Sequence, residues 1–329
     1  MTITRIVFAS DIHGSERTFL KFINSGKFYK ANVLIHGGDL SGKVIIPVVE
    51  KTSGVYECDF WSRHWVLKTE EELRNLEKYV RDAGYYPYRT DVEGLKKLKE
   101  DKEFLEKIFS EMITERAKLW VSIAEQRLKN TGIKCIINAG NDDDYVIDKV
   151  LQESDYITFP EGRVIKVDEK HEMISTGCTN ITPWKCARDI EEWVLAEKIE
   201  AMVSEVKDMK NAIFNFHCPP YKTLLDQAPV VRKKGDEVQF CGGIGHACCG
   251  PESIGAFIAE SVGSKAVKDA ILKYQPLLGL HGHIHEVKAV QKLHYTTMMS
   301  PGSQYLDGVL SSAIIELENK IKNYFFATG

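Results

Sequence analysis

Five short apolar runs, each ending abruptly in a polar motif, constrain this chain more than any other feature. The runs are Ile3-Thr4-Arg5-Ile6-Val7-Phe8-Ala9, Val33-Leu34-Ile35-His36, Ile133-Lys134-Cys135-Ile136-Ile137, Ala212-Ile213-Phe214-Asn215-Phe216 and Pro276-Leu277-Leu278-Gly279-Leu280. Continuous apolar runs bounded by turn residues predict strands buried on both faces, in sheets covered by helices. The motifs at their ends are Ser10-Asp11-Ile12-His13-Gly14, Gly38-Asp39, Gly140-Asn141-Asp142-Asp143, His217 and Gly282-His283-Ile284-His285. Open α/β sheets gather their ligands at the carboxyl ends of strands. Five such ends therefore bring these side chains to one edge.

Each motif alone is ambiguous. Asp-x-His at a strand end also suits a surface turn, Gly-Gly-Asp is an ordinary turn signal, and a lone histidine is more often structural than ligating. Their joint occurrence is what discriminates. Together they supply carboxylate, imidazole and amide donors in the number and type that two adjacent divalent cations need. Two ions roughly 3.5–4 Å apart clamp the attacking and leaving oxygens in phosphoryl transfer, and water between them becomes a nucleophile near neutral pH. A donor set without thiolate suits Mn, Fe, Zn or Ni. His36 and His281 flank the motifs and are expected to be structural.

At these residues the chain resembles the calcineurin-like metallophosphoesterase family. That pattern is Asp-x-His, Gly-Asp, Gly-Asn-His-Asp/Glu, a lone His and Gly-His-x-His, in that order, and it spans positions 11 to 285 here. Thr182-Pro183-Trp184 with Arg188 and Glu191, His217-Cys218-Pro219-Pro220-Tyr221 with Asp226, Gly263-Ser264, and Ser300-Pro301-Gly302-Ser303 resemble a phosphoesterase subgroup. The resemblance implies an α/β fold: an αββα sandwich of two mixed β-sheets flanked by helices, with the metals at its edge. It also implies one metal held by Asp11, His13 and His285, a second held by Asn141, His217 and His283, and Asp39 bridging both.

One departure limits how far the family chemistry transfers. The residue after the asparagine is usually a histidine, thought to protonate or stabilise the leaving oxygen; here it is Asp142, followed by Asp143 and Asp144. An imidazole titrates in the range that general acid work needs, whereas a carboxylate is ionised at pH 7. Neighbouring carboxylates would raise the pKa of Asp142 and two dications would lower it. The cations are expected to win, so Asp142 is carried as the candidate catalytic position without an acid role. Its alternative reading is a helix N-terminal acid before Tyr145-Val146-Ile147.

Composition agrees with an enzyme of this kind and excludes little else. A chain of 329 residues can bury a large core as one elaborated domain. A net charge of −4 leaves no basic footprint for a long nucleic acid. No apolar run reaches the ~18 residues that a membrane span needs, and the first strand begins too early for a signal peptide, so a cytoplasmic protein is expected. A homo-oligomer stays open. The eight cysteines do not read as a disulfide framework, which belongs to short secreted chains. Cys241, His246, Cys248 and Cys249 lack paired Cys-x-x-Cys spacing, so a flexible loop is preferred there to a structural metal.

About a hundred residues separate Asp39 from Asn141, more than a strand-to-helix crossover requires. Val44–Val49 and Val55–Phe60 read as a hairpin around Lys51-Thr52-Ser53-Gly54. Thr69-Glu70-Glu71-Glu72 is a capping box, with Gly84 closing that helix. Residues 101–130 have helical spacing of Phe104, Ile108, Met112, Leu119 and Ile123. Residues 62–131 are thus expected to form a largely helical insertion within the single domain 1–329. It either caps the substrate site or packs on the sheet or a second copy, with Trp61, Arg63, His64 and Trp65 as first candidates for substrate contact. Helices are also expected over 189–209, 255–262 and 264–274, and strands over 309–317 and 321–326 that close the second sheet. Arg188, Lys185 and Arg89 are candidate phosphate-binding cations, with a surface salt bridge the preferred role for any one of them.

The function expected is a dinuclear metal-dependent phosphoesterase acting on a small phosphoester, a nucleotide among them, with diesters ahead of monoesters because no imidazole acid stands at position 142. The alternatives are a phosphomonoesterase or nucleotidase, and a non-catalytic binding scaffold on the same fold.

Overall fold

All five apolar runs form strands, and they divide between two sheets. A computed structural model of the chain describes residues 3–234, 237–240 and 259–329. The first sheet has the order Ile321–Thr328, Ser311–Leu317, Thr4–Ala9, Val33–His36, Lys134–Ile137, Ile157–Thr158. The second has the order Ala289–Leu293, Thr296–Ser300, Leu278–Leu280, Ile213–Phe216, Glu172–Thr176, Val164–Lys166. Both are mixed: the motif-bearing strands pair in parallel, and antiparallel strands finish every edge except Ile157–Thr158, which pairs in parallel.

Alternation along each strand explains the layering, because successive side chains face opposite sides. Ile6, Phe8, Val33, Ile35 and Ile136 of the first sheet meet Met173, Ile213, Leu278, Leu280 and Met299 of the second in one buried cluster between the sheets. The other face, with Val7, Ala9, Leu34, Cys135 and Ile137, packs under the helices Glu16–Phe28, Lys102–Leu128 and Val146–Gln152. Ile174, Phe214, Phe216 and Met298 do the same under Glu192–Val203 and Lys265–Tyr274. The architecture is the αββα sandwich.

Several expected elements fall differently. The two C-terminal strands close the first sheet, not the second, because Ser311–Leu317 pairs antiparallel with Thr4–Ala9 from Thr4↔Leu317 to Phe8↔Ala313. The helix expected over 189–209 is confined to Glu192–Val203. Asp189–Ile190 is instead a short strand beside Thr179–Asn180, where the Asp189 carboxylate accepts bonds from the Thr182 and Cys186 backbone and holds the chain in a turn. Ala259–Ser261, expected to be helical, is a strand paired with Gln227–Pro229. Residues 255–258 of that segment, and the loop from Cys241 to Cys249 with His246 and Cys248, lie outside the described residues.

The long gap builds a small sheet of its own, ordered Arg63–Leu67, Val55–Phe60, Ile45–Thr52, Tyr86–Asp91. Residues 62–131 supply two of those strands and the helices Glu70–Asp82, Val92–Glu100 and Lys102–Leu128; the other two strands are the hairpin that precedes them. The Thr69 capping box is present. Val48, Cys58, Phe60, Leu67, Leu73, Leu76, Val80 and Ala83 form a separate core beneath the small sheet. The Lys102–Leu128 helix leaves that unit for the main fold, where Trp120 stacks on Phe19 at 4.2 Å and 5°.

Candidate functional site

Three of the five motifs turn off their strands through strained backbone. Asp11, His13, Asp39 and His283 all have positive φ, at 58°, 44°, 56° and 71°. Non-glycine residues enter this left-handed region rarely, and where several do so together the surrounding structure is forcing them. The motif glycines allow the loops to close on one another. A Cβ on Gly38, at φ 129°, would collide with the His217 ring, and one on Gly282 would collide with the Asp11 carboxylate.

The result is a buried cluster at the carboxyl ends of strands from both sheets. The donor atoms of Asp11, His13 and His285 lie within 4.8 Å of one another, as do those of Asp39, His217 and His283. His13, Asp39 and Asp142 make a third such group. Asn141 faces the second group, its side-chain oxygen 2.9 Å from His283 Nδ1. Its amide nitrogen donates to Asp189 at 3.1 Å, which leaves the oxygen directed at the cluster. The seven side chains proposed as ligands are therefore all brought together.

The chemistry of the donor set fits a divalent cation. His217 Nδ1 stands 3.1 Å from the Gly37 carbonyl, where it donates and so fixes the tautomer. Its Nε2 points into the cluster, buried and 3.2 Å from Asp39, where it offers a lone pair to an ion once it has lost its proton. His13 Nε2 and His285 Nε2 face each other at 2.9 Å, an arrangement that suits two lone pairs aimed at a common ion. Burial disfavours charge on His217, yet Asp39 and Asp11 overcome it and raise the imidazolium to about 9. Burial lifts Asp39 to about 6, with His217 pulling the other way. Burial also opposes the charge of Asp11, but His217, His285 and His13 hold its carboxyl well below the usual range. A cluster that retains protons in this way exchanges them for a metal on binding.

Around the donors stand residues that lock the loops. Asp143 accepts from the backbone N–H groups of Leu40 and Ser41 at 2.9 and 2.7 Å and of Gly140 at 2.8 Å, tying the Asp39 loop to the Asn141 loop. His281 is structural: its Nδ1 donates to the Phe216 carbonyl at 2.8 Å. His36 is wholly buried, and burial holds its imidazole near 4, hence neutral.

Asp142 is not the helix N-terminal acid. The helix begins at Val146, and Asp144 accepts from the Val146 N–H at 2.9 Å in that role. Asp142 instead forms an ion pair with Lys43 and accepts from the Cys186 thiol at 2.7 Å. Burial opposes its ionisation, but Lys43, then Cys186, outweigh it and hold the carboxyl below its ordinary value. The ionised state expected from nearby dications is favoured here by the chain's own groups, Lys43 first. Burial works against the Lys43 ammonium, while Asp39 and Asp142 raise it above its usual value.

The cluster forms one end of a cavity of about 790 Å³. Asp39, Lys43, Asn141, Asp142, His283 and His285 line the deep end, and Ile181, Pro183, Trp184, Tyr221, Pro229 and Val262 wall the rest. Ile181 and Trp184 are half-exposed there. Among the described residues no part of 62–131 lines this cavity; Trp61, Arg63 and Trp65 border a separate hollow with Phe60 and Tyr79, and His64 pairs with Asp59. The insertion reaches the centre from behind. Arg116 donates to the Gly14 carbonyl at 2.7 Å, and Ser15 donates to the Asp82 carbonyl at 2.6 Å.

None of the three candidate cations lines the cavity, and Arg188 and Arg89 take the ion-pair role preferred for them. Arg188 is buried against Asp148 and the Asp143 carbonyl, Arg89 bridges Glu70 and Glu77, and Lys185 stands off the lining. Lys43, Cys186 and Asp189 were missed. Lys43 follows Asp39 by four residues with no motif to mark it, and the other two act only through contacts made in the fold.

No protein-family model and no curated protein matches the sequence. Solved structures do match. One covers 99% of each chain at 13% identity with a TM-score of 0.58. Another, TT1561 of Thermus thermophilus, covers 100% of this chain and 99% of its own at 14% identity and a TM-score of 0.53. A novel archaeal phosphodiesterase matches at 10% identity over 99% and 100% of the two chains, with a TM-score of 0.36. Likeness at this identity concerns the fold alone: the chain shares its overall αββα architecture with the first two of these structures. Among the described residues no helix is long and apolar enough to cross a membrane.

Proposed function

We propose that this chain is a dinuclear metal-dependent phosphoesterase that hydrolyses small phosphodiesters. The observation that carries the reading is the pair of interlocking donor groups, Asp11–His13–His285 and Asp39–His217–His283 with Asn141, gathered from five strand ends onto strained backbone. Asp39 lies between the groups and would help to hold both ions. When bound, such ions activate water and draw charge from the phosphoryl oxygens.

The chain's own residues do the rest. Asn141, held by Asp189, and His217, held by Gly37, are pre-oriented, so little reorganisation is needed on metal binding. The apolar wall around Trp184 and Ile181 receives the organic part of the ester and excludes water from the deep end. No imidazole stands where a general acid is usual, and Asp142 is ionised and paired. That favours diesters with tolerable leaving groups, since general acid help is typically worth about 10²–10⁴ in rate.

Metal analysis of the purified protein beside turnover of bis-p-nitrophenyl phosphate and p-nitrophenyl phosphate tests the reading. Two equivalents of Mn, Fe, Zn or Ni and metal-dependent cleavage of the diester are expected. Faster monoester cleavage would move the assignment to a phosphomonoesterase, and bound metal without turnover of either would leave a binding scaffold.

A further inference from the structure

We infer that Lys43 is a phosphoryl-binding cation, aimed into the cavity by Asp142, and that the pair stands in for the imidazole otherwise found after the asparagine; the inference rests on the phosphoesterase reading above. Lys43 and Asp142 both line the deep end of the cavity beside Asp39, Asn141 and His283. One Asp142 oxygen pairs with Lys43 and the other accepts from Cys186 at 2.7 Å. The Asp142 backbone N–H donates to Asp39 at 3.0 Å, so the residue is fixed at both ends. A carboxylate engaged in this way is no free proton donor, and what it does is place an ammonium.

That ammonium has capacity to spare. It carries three donors, and the Lys43 side chain is 43% exposed on the cavity lining, so N–H groups beyond the Asp142 pair are available to a ligand there. The other lysine on the lining, Lys265, lies by the Tyr221 ring at 5.6 Å. Lys43 is thus the lining cation beside the donor cluster among the described residues. In the reaction water adds its oxygen to phosphorus, the P–O bond to the alcohol breaks, and the departing oxygen takes its proton from solvent. Lys43 keeps its own proton throughout and donates a hydrogen bond to the phosphoryl or departing oxygen as negative charge grows there. A preorganised donor of this kind is typically worth about 10²–10³ in kcat.

The test compares Lys43→Gln, Lys43→Arg and Asp142→Asn with the wild type in metal stoichiometry, kcat for bis-p-nitrophenyl phosphate, and affinity for inorganic phosphate by calorimetry. Lys43→Gln should keep both metals, lose roughly 10²-fold or more in kcat, and bind phosphate about tenfold more weakly, as expected for one lost charge-assisted bond. Lys43→Arg should recover part of the phosphate affinity. Asp142→Asn should move both readouts the same way by less, and the double variant should be no worse than Lys43→Gln alone, because the two act as a unit. Wild-type kcat and phosphate affinity in a metal-replete Lys43→Gln would overturn the inference. A wild type that binds metal but hydrolyses no ester would sink the phosphoesterase reading instead, and the phosphate affinities would still decide the role of Lys43.

Discussion

The insertion between the second and third motifs and the loops around 180–192 were both candidates to shape a substrate site, and the fold uses them oppositely. The insertion is long, aromatic and carries its own sheet and core. Yet it stands behind the His13 loop and touches the centre through Arg116, Asp82 and Gly84. The segments around 180–192 and 219–229, with 260–265, are unremarkable in length but wall the cavity. They follow the strands Glu172–Thr176 and Ile213–Phe216, whose carboxyl ends face the donors. The insertion also leaves a motif strand's carboxyl end, but its small sheet buries an apolar face of its own and is carried aside. The position of a loop on the sheet edge outweighs its size.

The largest expected effect lies at the centre that both regions adjoin. Asp39→Asn removes the charge shared by the two donor groups, so both metals and nearly all turnover should be lost together; two tightly bound metals with normal turnover in that variant would break the site assignment. The next effect separates the regions. Trp184→Ala should raise KM for an aryl diester about tenfold, as expected for ~1.4 kcal/mol of lost apolar contact, while Trp61→Ala leaves KM and kcat unchanged. A reversed result, with Trp61 controlling KM, would show that the insertion and not the 180–192 wall meets the substrate. The smallest effect concerns the insertion alone. Thr69→Ala removes the side-chain half of a capping box and should cost about 1 kcal/mol in denaturant unfolding, with metal content and kcat unaltered. A loss of activity there would mean that the insertion's helix transmits to the His13 loop more strongly than its contacts suggest.

Much of this was legible in the residues. Strand identity could be read because each apolar run is short, continuous and cut off by a turn, and the donor types at those ends already specified hard-to-borderline cation chemistry. Helix starts at Thr69, Asp101 and Ser264 were legible because capping is local: in each the side chain accepts from a backbone N–H three residues on. The partnering of Ser311–Leu317 with Thr4–Ala9 was not, since strand order is chosen by packing between segments some three hundred residues apart.

Residue type and periodicity within a few positions were thus enough for the five strand ends, while the αββα class and the seven candidate donors came from the resemblance that the motifs carry. Three further features came only with the folded chain: Asp142 faces Lys43 and Cys186, Asp189 turns the Asn141 oxygen toward the donors, and the insertion lies behind the centre. Those outcomes depend on distances across separate loops, where an ion pair or a buried hydrogen bond forms only once the strands beneath have been placed.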